Sequence, residues 1–517
     1  MGRVKKTLLN ARVNLIYYIL VIVVSFFSRK IFLDYLNADF VGLTSTLRSI
    51  LGFLNLAELG IGVAIGQVLY SPIAKDDKHK INEILSLYGY LYKKVGIVIL
   101  VVGIIISFFL PLIFEKSIFN NIVIFFGYYV FLGSSLLSYF FNYQQTLLQA
   151  DQKGYIVQKY YQSFVLFKLL LQILLVYHTQ NYIIWILIEF MGSVAYTIIL
   201  KWRMAKEYPW MSISVQEGRL LLKKYRYIIL KIKQLFVHKF SLFILQSSSP
   251  FIIYAFISLK YVAYYNNYML IFGKLTGLIG TVLQSSWAGV GNLVAEGNKS
   301  NILKIFWELT GLRLWIGGII VMCLYYLTEP FITIWIGAEY LLSKDVLLIM
   351  LIQVFLMQIR GPIDNYIYAY GLFSDVWAPL LEGVINITVA LIGGKYFGLS
   401  GIVAGSVLSI LVVVFGWKPY FLFKKGFLLP VSLYFKNIIP KVLLLGLAWY
   451  IVDYLVTELI IGKLILDSYM NWLMFSVVIC LIVFFVWTPI LFFSSRGFRE
   501  LMSRFRKYVL NIVTESK

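Results

Sequence analysis

Charge is what this chain has least of. Asp, Glu, Lys and Arg make up only 14% of its 517 residues, while 60% are hydrophobic and the mean hydropathy is +0.83. A water-soluble protein devotes about a quarter of its residues to charge, so a soluble globule of this size is excluded. Acids are the scarcer sign, 24 against 46 Lys and Arg, for a formal net charge of +22. Cysteine is nearly absent. Cys323 and Cys480 both sit in apolar runs, which excludes a disulfide framework or a thiolate metal site. The three histidines, His79, His178 and His238, are scattered and make no metal-ligand spacing. No Walker-type phosphate loop is present, and no loop pairs catalytic carboxylates; Asp34 and Asp39 read as turn residues. The expectation is a protein that is not an enzyme and holds no metal or cofactor.

Long apolar runs are what it has in abundance. A membrane-crossing helix needs about 20 mostly apolar residues, and uninterrupted runs of that length argue for helices over the short alternating segments of a barrel. The fold class is therefore all-α and polytopic. Fourteen spans are expected, among them 42–70, 346–371, 376–396 and 399–422. The basic start "MGRVKKTLLNARVN" leads into a run without a cleavage site, read as a retained first span. With both termini in the cytoplasm, the inside segments hold 34 Lys and Arg against seven outside, the asymmetry of the positive-inside rule. That asymmetry accounts for most of the net charge without any nucleic acid.

The sequence also repeats. "FVGLTSTLRSILGFLN" (40–55) parallels "YVAYYNNYMLIFGKLT" (261–276), and Gly96 falls against Gly317, both at an offset of about 220 residues. Parallel repeats of this kind are a transporter signature, with the substrate path between the halves. The expected organisation is an N-lobe of six spans (1–202), a basic linker (203–227), a C-lobe of six spans (228–426), two added spans (427–494) outside the repeat, and a basic tail (495–517).

Polar residues inside the apolar runs are the candidate site. On the second span, Arg48, Gly52, Asn55, Leu59, Gly62 and Gly66 recur at helical spacing with Glu58 one turn from Asn55, either a cavity lining or a close-packing face. The eighth span carries Asn267, Lys274, Gly277, Thr281 and Gln284. Lys168 and Gln172 lie four apart in the fifth, with Glu189 of the sixth a candidate partner. Arg360 and Asp364 flank Pro362 in the tenth, and Glu382 lies in the eleventh with Asn386. Arg29 is near an outer rim, and Arg313 is deep in the ninth span. A cation at the bilayer centre costs at least ~3 kcal/mol on insertion scales, so such residues face a protein interior. The candidate substrate-binding set is Arg29, Arg48, Asn55, Lys168, Asn267, Lys274, Arg313 and Arg360; Glu58, Glu189, Asp364 and Glu382 are candidates for proton or sodium coupling or for structural pairs. A cation-enriched cavity suits an anionic ligand such as pyrophosphate.

Two stretches carry a family resemblance. "LAELGIGVAI…LYSPIAKDDKHKINEI" (56–84) resembles the second helix and following loop of bacterial polysaccharide repeat-unit flippases, the Wzx-type branch of the multidrug/oligosaccharidyl-lipid/polysaccharide (MOP) superfamily. "PIDNYIYAYGLFSDVWAPLLEGVIN" (362–386) is similar to their tenth-to-eleventh helix segment. The resemblance implies translocation of an undecaprenyl-pyrophosphate-linked oligosaccharide, for O-antigen or capsule, from the cytoplasmic to the outer leaflet of the bacterial inner membrane. It also implies alternating access, a lipid-tail groove made with the two added spans (427–494), a monomer in the lipid bilayer, and polysaccharide polymerase or chain-length machinery as partners. The alternative is a multidrug or cation antiporter of the same superfamily.

Overall fold

A computed structural model describes residues 3–58, 60–283, 285–372, 374–459 and 466–515. Among them every regular element is a helix, as hydrocarbon demands: a backbone with no water to bind must satisfy its own hydrogen bonds. Among the described residues, ten helical stretches are long and apolar enough to cross a membrane. Short polar residues start many of them. The Asn120, Asn181 and Asn298 side chains each accept a hydrogen bond from an N–H in the first turn that follows, as N-caps do.

The chain divides into two compact units, residues 1–281 and 282–517. This division falls well beyond the basic 203–227 stretch, because the helices after that stretch pack on those before it. The stretch itself is folded: Lys224 Nζ lies 2.6 Å from Glu83 Oε1, and the Ser214 N–H donates to Ser86 at 3.0 Å. In the neighbouring turn Lys153 meets Asp151 at 2.6 Å and Glu207 at 3.0 Å. Burial disfavours its charge, but the two carboxylates outweigh that and raise its pKa.

Unit one contains α1 (Arg3–Leu36), α2 (Ala38–Leu54), α3 (Ile61–Ala74), α4 (Lys78–Ser107), α5 (Asn121–Phe140), α6 (Gln145–Ala150), α7 (Gly154–Thr179), α8 (Tyr182–Glu207), α9 (Arg226–Phe256) and most of α10 (Leu259–Leu283). Sidedness is plain in α4. Tyr88, Tyr92, Gly96, Ile99 and Gly103 are buried at steps of three and four, while Val98, Val101, Ile105 and Phe108 are exposed. An apolar exposed face opposite a small-residue packed face is the arrangement expected in lipid.

The second span corrects one expectation. The sequence suggests a continuous helix over 42–70 with Arg48 to Gly66 along one face. Instead α2 ends at Leu54, a 3₁₀ turn follows over Asn55–Glu58, and Gly60 takes φ +96° before α3 begins. The cause is local. Asn55 turns its carboxamide oxygen to the Ser135 and Tyr139 hydroxyls, 3.1 and 2.9 Å away, and a glycine at position 60 admits the left-handed backbone. Arg48 and Glu58 therefore serve different cavities.

Gly42 of α2 touches the first turn of α10 so closely that an added Cβ would sit 2.0 Å from the Leu259 carbonyl oxygen. Gly42→Val is expected to cost well over ~3 kcal/mol, since backbone cannot yield as a side chain can. Recovery of monodisperse protein after detergent extraction would show it; wild-type yield and melting would refute the contact.

Unit two holds α11 (Lys299–Trp335), α12 (Lys344–Ile359), α13 (Gly361–Ala369), α14 (Trp377–Ser409), α15 (Ser432–Leu459), α16 (Tyr469–Ser494) and α17 (Arg496–Glu515). The break between α12 and α13 lies beside Pro362, as the sequence suggests. Within α14 the backbone departs from helix at Gly398 (φ 59°, ψ −133°), where the expected eleventh and twelfth spans meet. The two free cysteines, on α11 and α16, bring their sulfurs to 3.8 Å.

Candidate functional site

Three polar cavities in unit one share walls. The first, about 230 Å³, is lined by Arg29 of α1, Arg48 of α2, Lys168 and Gln172 of α7, and Glu189 of α8. Lys168 and Glu189 also line the second, about 410 Å³, whose other polar groups include Ser134, Asn142, Tyr161 and Tyr196. Ser138 and Gln145 pass from the second into the third, about 590 Å³, which holds Asn55 and Glu58. Charge gives way to hydroxyls and amides along this series.

Glu189 organises the cationic end. Its Oε1 lies 2.9 Å from Lys168 Nζ and 3.0 Å from Arg48 Nη2, while Gln172 Nε2 donates to Oε2 at 3.3 Å. Gln172 is itself held by the Trp185 carbonyl at 3.0 Å. Arg48 packs over the Phe131 ring, 4.9 Å from its centroid. A Cβ on Gly192 would press the Lys168 stem at 3.1 Å, so glycine there gives the lysine its room. Two cations thus share one carboxylate while Arg29 lines the same cavity, and Arg48 is half exposed. With so few acids the cluster keeps positive charge to offer, and charge-assisted hydrogen bonds to phosphate oxygens are the strong ones.

At the third cavity the Tyr92 hydroxyl donates to Glu58 Oε1. The Tyr88 hydroxyl meets Thr146 Oγ1 at 3.1 Å, and the Tyr88 ring packs against Tyr92 and Tyr143 at 4.4 and 5.3 Å between centroids. These tyrosines did not stand out in the sequence. The signal for two of them was the four-residue step of Tyr88–Tyr92, which puts that pair on one face of α4; Tyr143 lies in a 3₁₀ turn beyond the end of α5 and carries no such signal.

The remaining candidates lie apart from these cavities. Asn267 of α10 is fully buried, and among the described residues neither side-chain amide atom has a hydrogen-bond partner. Lys274, one turn beyond the middle of α10, accepts the Tyr18 hydroxyl at its backbone carbonyl, 2.9 Å away. In unit two, Arg313 donates to Gln358 at 2.9 Å. Arg360 pairs with Asp364 at 2.7 Å and approaches Glu382 at 3.6 Å, and Lys418 closes the network onto Asp364 at 2.8 Å. Lys418 stands at the inner end of the expected 399–422 span, among the cations of an inside segment, so nothing in the sequence marks it as a site residue. Here two cations meet two acids, so the charge is balanced locally. Gln284 of the eighth-span stripe lies outside the described residues.

A second kind of cavity occurs in unit two. A groove of about 610 Å³ runs between α11, α12, α15 and the π-helical turns after α14, walled by side chains such as Phe355, Phe415, Ile438, Val442 and Trp449. An added Cβ at Gly446 in its wall would meet nothing within 4 Å. The groove is almost wholly apolar and suits a hydrocarbon chain.

No protein-family model matches the sequence, and no curated protein matches it. Solved structures do match. The lipid II flippase MurJ, in its inward closed conformation, superposes with a TM-score of 0.66 over 94% of this chain and 99% of its own, at 14% identity. An inward-facing multidrug resistance MATE family transporter of the MOP superfamily gives 0.59 over 82% of this chain and 96% of its own, at 13% identity. The likeness is one of fold, and it extends over nearly the whole chain.

Proposed function

We propose that this chain is a lipid-linked oligosaccharide flippase: it carries undecaprenyl-pyrophosphate-linked repeat units from the cytoplasmic to the outer leaflet of the bacterial inner membrane by alternating access. The observation that carries the reading is one cavity lined by Arg29, Arg48 and Lys168, the last two paired with the same Glu189. Pyrophosphate needs such an excess of donors and charge, and it would be held by charge-assisted hydrogen bonds. The apolar groove beside α15 supports the other half of the cargo, since a prenyl tail needs a hydrocarbon wall. A MOP-type fold shared with a lipid II flippase agrees with both. In this reading the helices make fourteen crossings with both termini in the cytoplasm, and the protein supplies its cargo to polysaccharide polymerisation for O-antigen or capsule.

A second reading, a cation antiporter, has one observation behind it: Glu58 sits among tyrosines in a cavity that organic cations would suit. Proteoliposomes decide between the two. Loaded with fluorescent undecaprenyl-pyrophosphate glycolipid, they should show leaflet exchange that depends on the protein, and uptake of tetraphenylphosphonium should not exceed that of empty vesicles. The opposite pattern selects the antiporter. Gly446→Phe, whose Cβ meets open space and whose ring would occupy the groove, should cut glycolipid exchange at least ~10-fold and leave melting unchanged; unaltered exchange with unchanged melting would remove the groove from the mechanism. An imposed pH or sodium gradient in the same vesicles tests whether Glu58, Glu189, Asp364 or Glu382 couples an ion.

A further inference from the structure

The tyrosine-walled cavity has a chemistry unlike that of the cationic one. It offers the phenol hydroxyls of Tyr88, Tyr92 and Tyr143, the amides of Asn55 and Gln149, and one carboxylate, Glu58; among the described residues its lining includes no Lys or Arg. Its third wall is backbone. Gly60, Gly62 and Gly66 line it where the second span is broken, and a Cβ on Gly62 would come 3.2 Å from the Tyr88 hydroxyl. The rings are braced rather than loose: Tyr88 and Tyr143 are buried and meet nearly edge to face, 85° between planes. Its volume, about 590 Å³, lies within the ~300–1,000 Å³ typical of small-molecule sites.

Building on the flippase reading, we infer that this cavity holds the saccharide part of the cargo and selects sugars that carry no acidic group. A sugar ring presents an apolar C–H face and a rim of hydroxyls. Aromatic faces cover the first, and phenols, carboxamides and a carboxylate exchange hydrogen bonds with the second. Glu58 accepts from a hydroxyl or an amine. A uronic acid has no such donor at its carboxylate and would set a second negative charge against Glu58, a built-in penalty of the kind that makes binding specific. The shared walls set the order of the cargo: pyrophosphate among Arg29, Arg48 and Lys168, sugars past Ser138 and Gln145, and the terminal unit against Glu58.

The test compares three lipids on the full-length chain in detergent micelles, by competition binding: bare undecaprenyl pyrophosphate, the same lipid bearing N-acetylglucosamine, and the same lipid bearing galacturonic acid. The neutral glycolipid is expected to bind about 10-fold tighter than either other lipid. Glu58→Gln is expected to bring the galacturonic acid lipid within about threefold of the neutral one. The three-way comparison on the unaltered protein needs no variant, so a folding defect in Glu58→Gln cannot mask the answer. Equal binding of all three lipids, or preference for the acidic one, overturns the inference and leaves the flippase reading standing. Failure of all three to bind, or displacement of the neutral lipid by tetraphenylphosphonium in a Glu58-dependent manner, overturns both.

Discussion

Replacing Arg48 and Lys168 together by glutamine is expected to weaken undecaprenyl pyrophosphate binding at least about 100-fold. A hydrogen bond to a charged group contributes roughly 1.5–3 kcal/mol, and each factor of ten is 1.4 kcal/mol. The two cations flank the same carboxylate oxygen at 3.0 and 2.9 Å, so their contributions are coupled and need not add. Two such losses span about 3–6 kcal/mol when additive, so the 100-fold mark, about 2.8 kcal/mol, already allows for redundancy over most of that range. The double variant has a second consequence. Among the described residues, Glu189 is left as a poorly exposed carboxylate with Gln172 as its one remaining bonded partner, and an uncompensated buried charge is destabilising. Adding Glu189→Gln should restore the melting temperature and leave binding lost. That split, stability recovered without affinity, is what a binding role predicts and a packing role does not. A double variant that melts normally and binds within threefold of wild type would end the case for this cluster.

The sequence exposes some features of this molecule and hides others for definable reasons. Helix positions were legible because each crossing must satisfy its own backbone in lipid, so long apolar runs have few alternatives. Even the turn at Gly398 lay in the gap between two expected spans. The Lys168–Glu189 contact was legible as well, since a lysine that deep needs a partner and few acids were on offer. The break at Asn55–Gly60 was not. A stripe with steps of three and four looks the same whether the helix runs on or stops, and only the hydroxyls of Ser135 and Tyr139, some 80 residues away, draw Asn55 out of register. The same limit hid Lys418. Its role depends on Asp364, a residue 54 positions away, and nothing local in the stretch around it records that meeting.

That meeting sets the other large effect. Asp364 is held by Arg360 at 2.7 Å and by Lys418 at 2.8 Å, and Arg360 and Glu382 are almost wholly buried. Asp364→Asn removes one acid from a balanced four-membered set and leaves two cations facing Glu382 alone, across 3.6 Å from Arg360. Breaking a buried pair in this way costs about 3–5 kcal/mol, which should lower the melting temperature in detergent by several degrees and reduce the amount of protein recovered. Pairing it with Lys418→Gln deletes one charge of each sign and keeps the Arg360–Glu382 contact. The double variant should therefore regain more than half of the lost stability, a coupling that independent sites would not show. If Asp364→Asn melts within a degree of wild type, the network is not holding α13 to the turns that follow α14, and the local balance drawn for Arg360 is wrong. Arg360 would then have charge to spare, and the cationic cluster of unit one would lose its contrast with unit two.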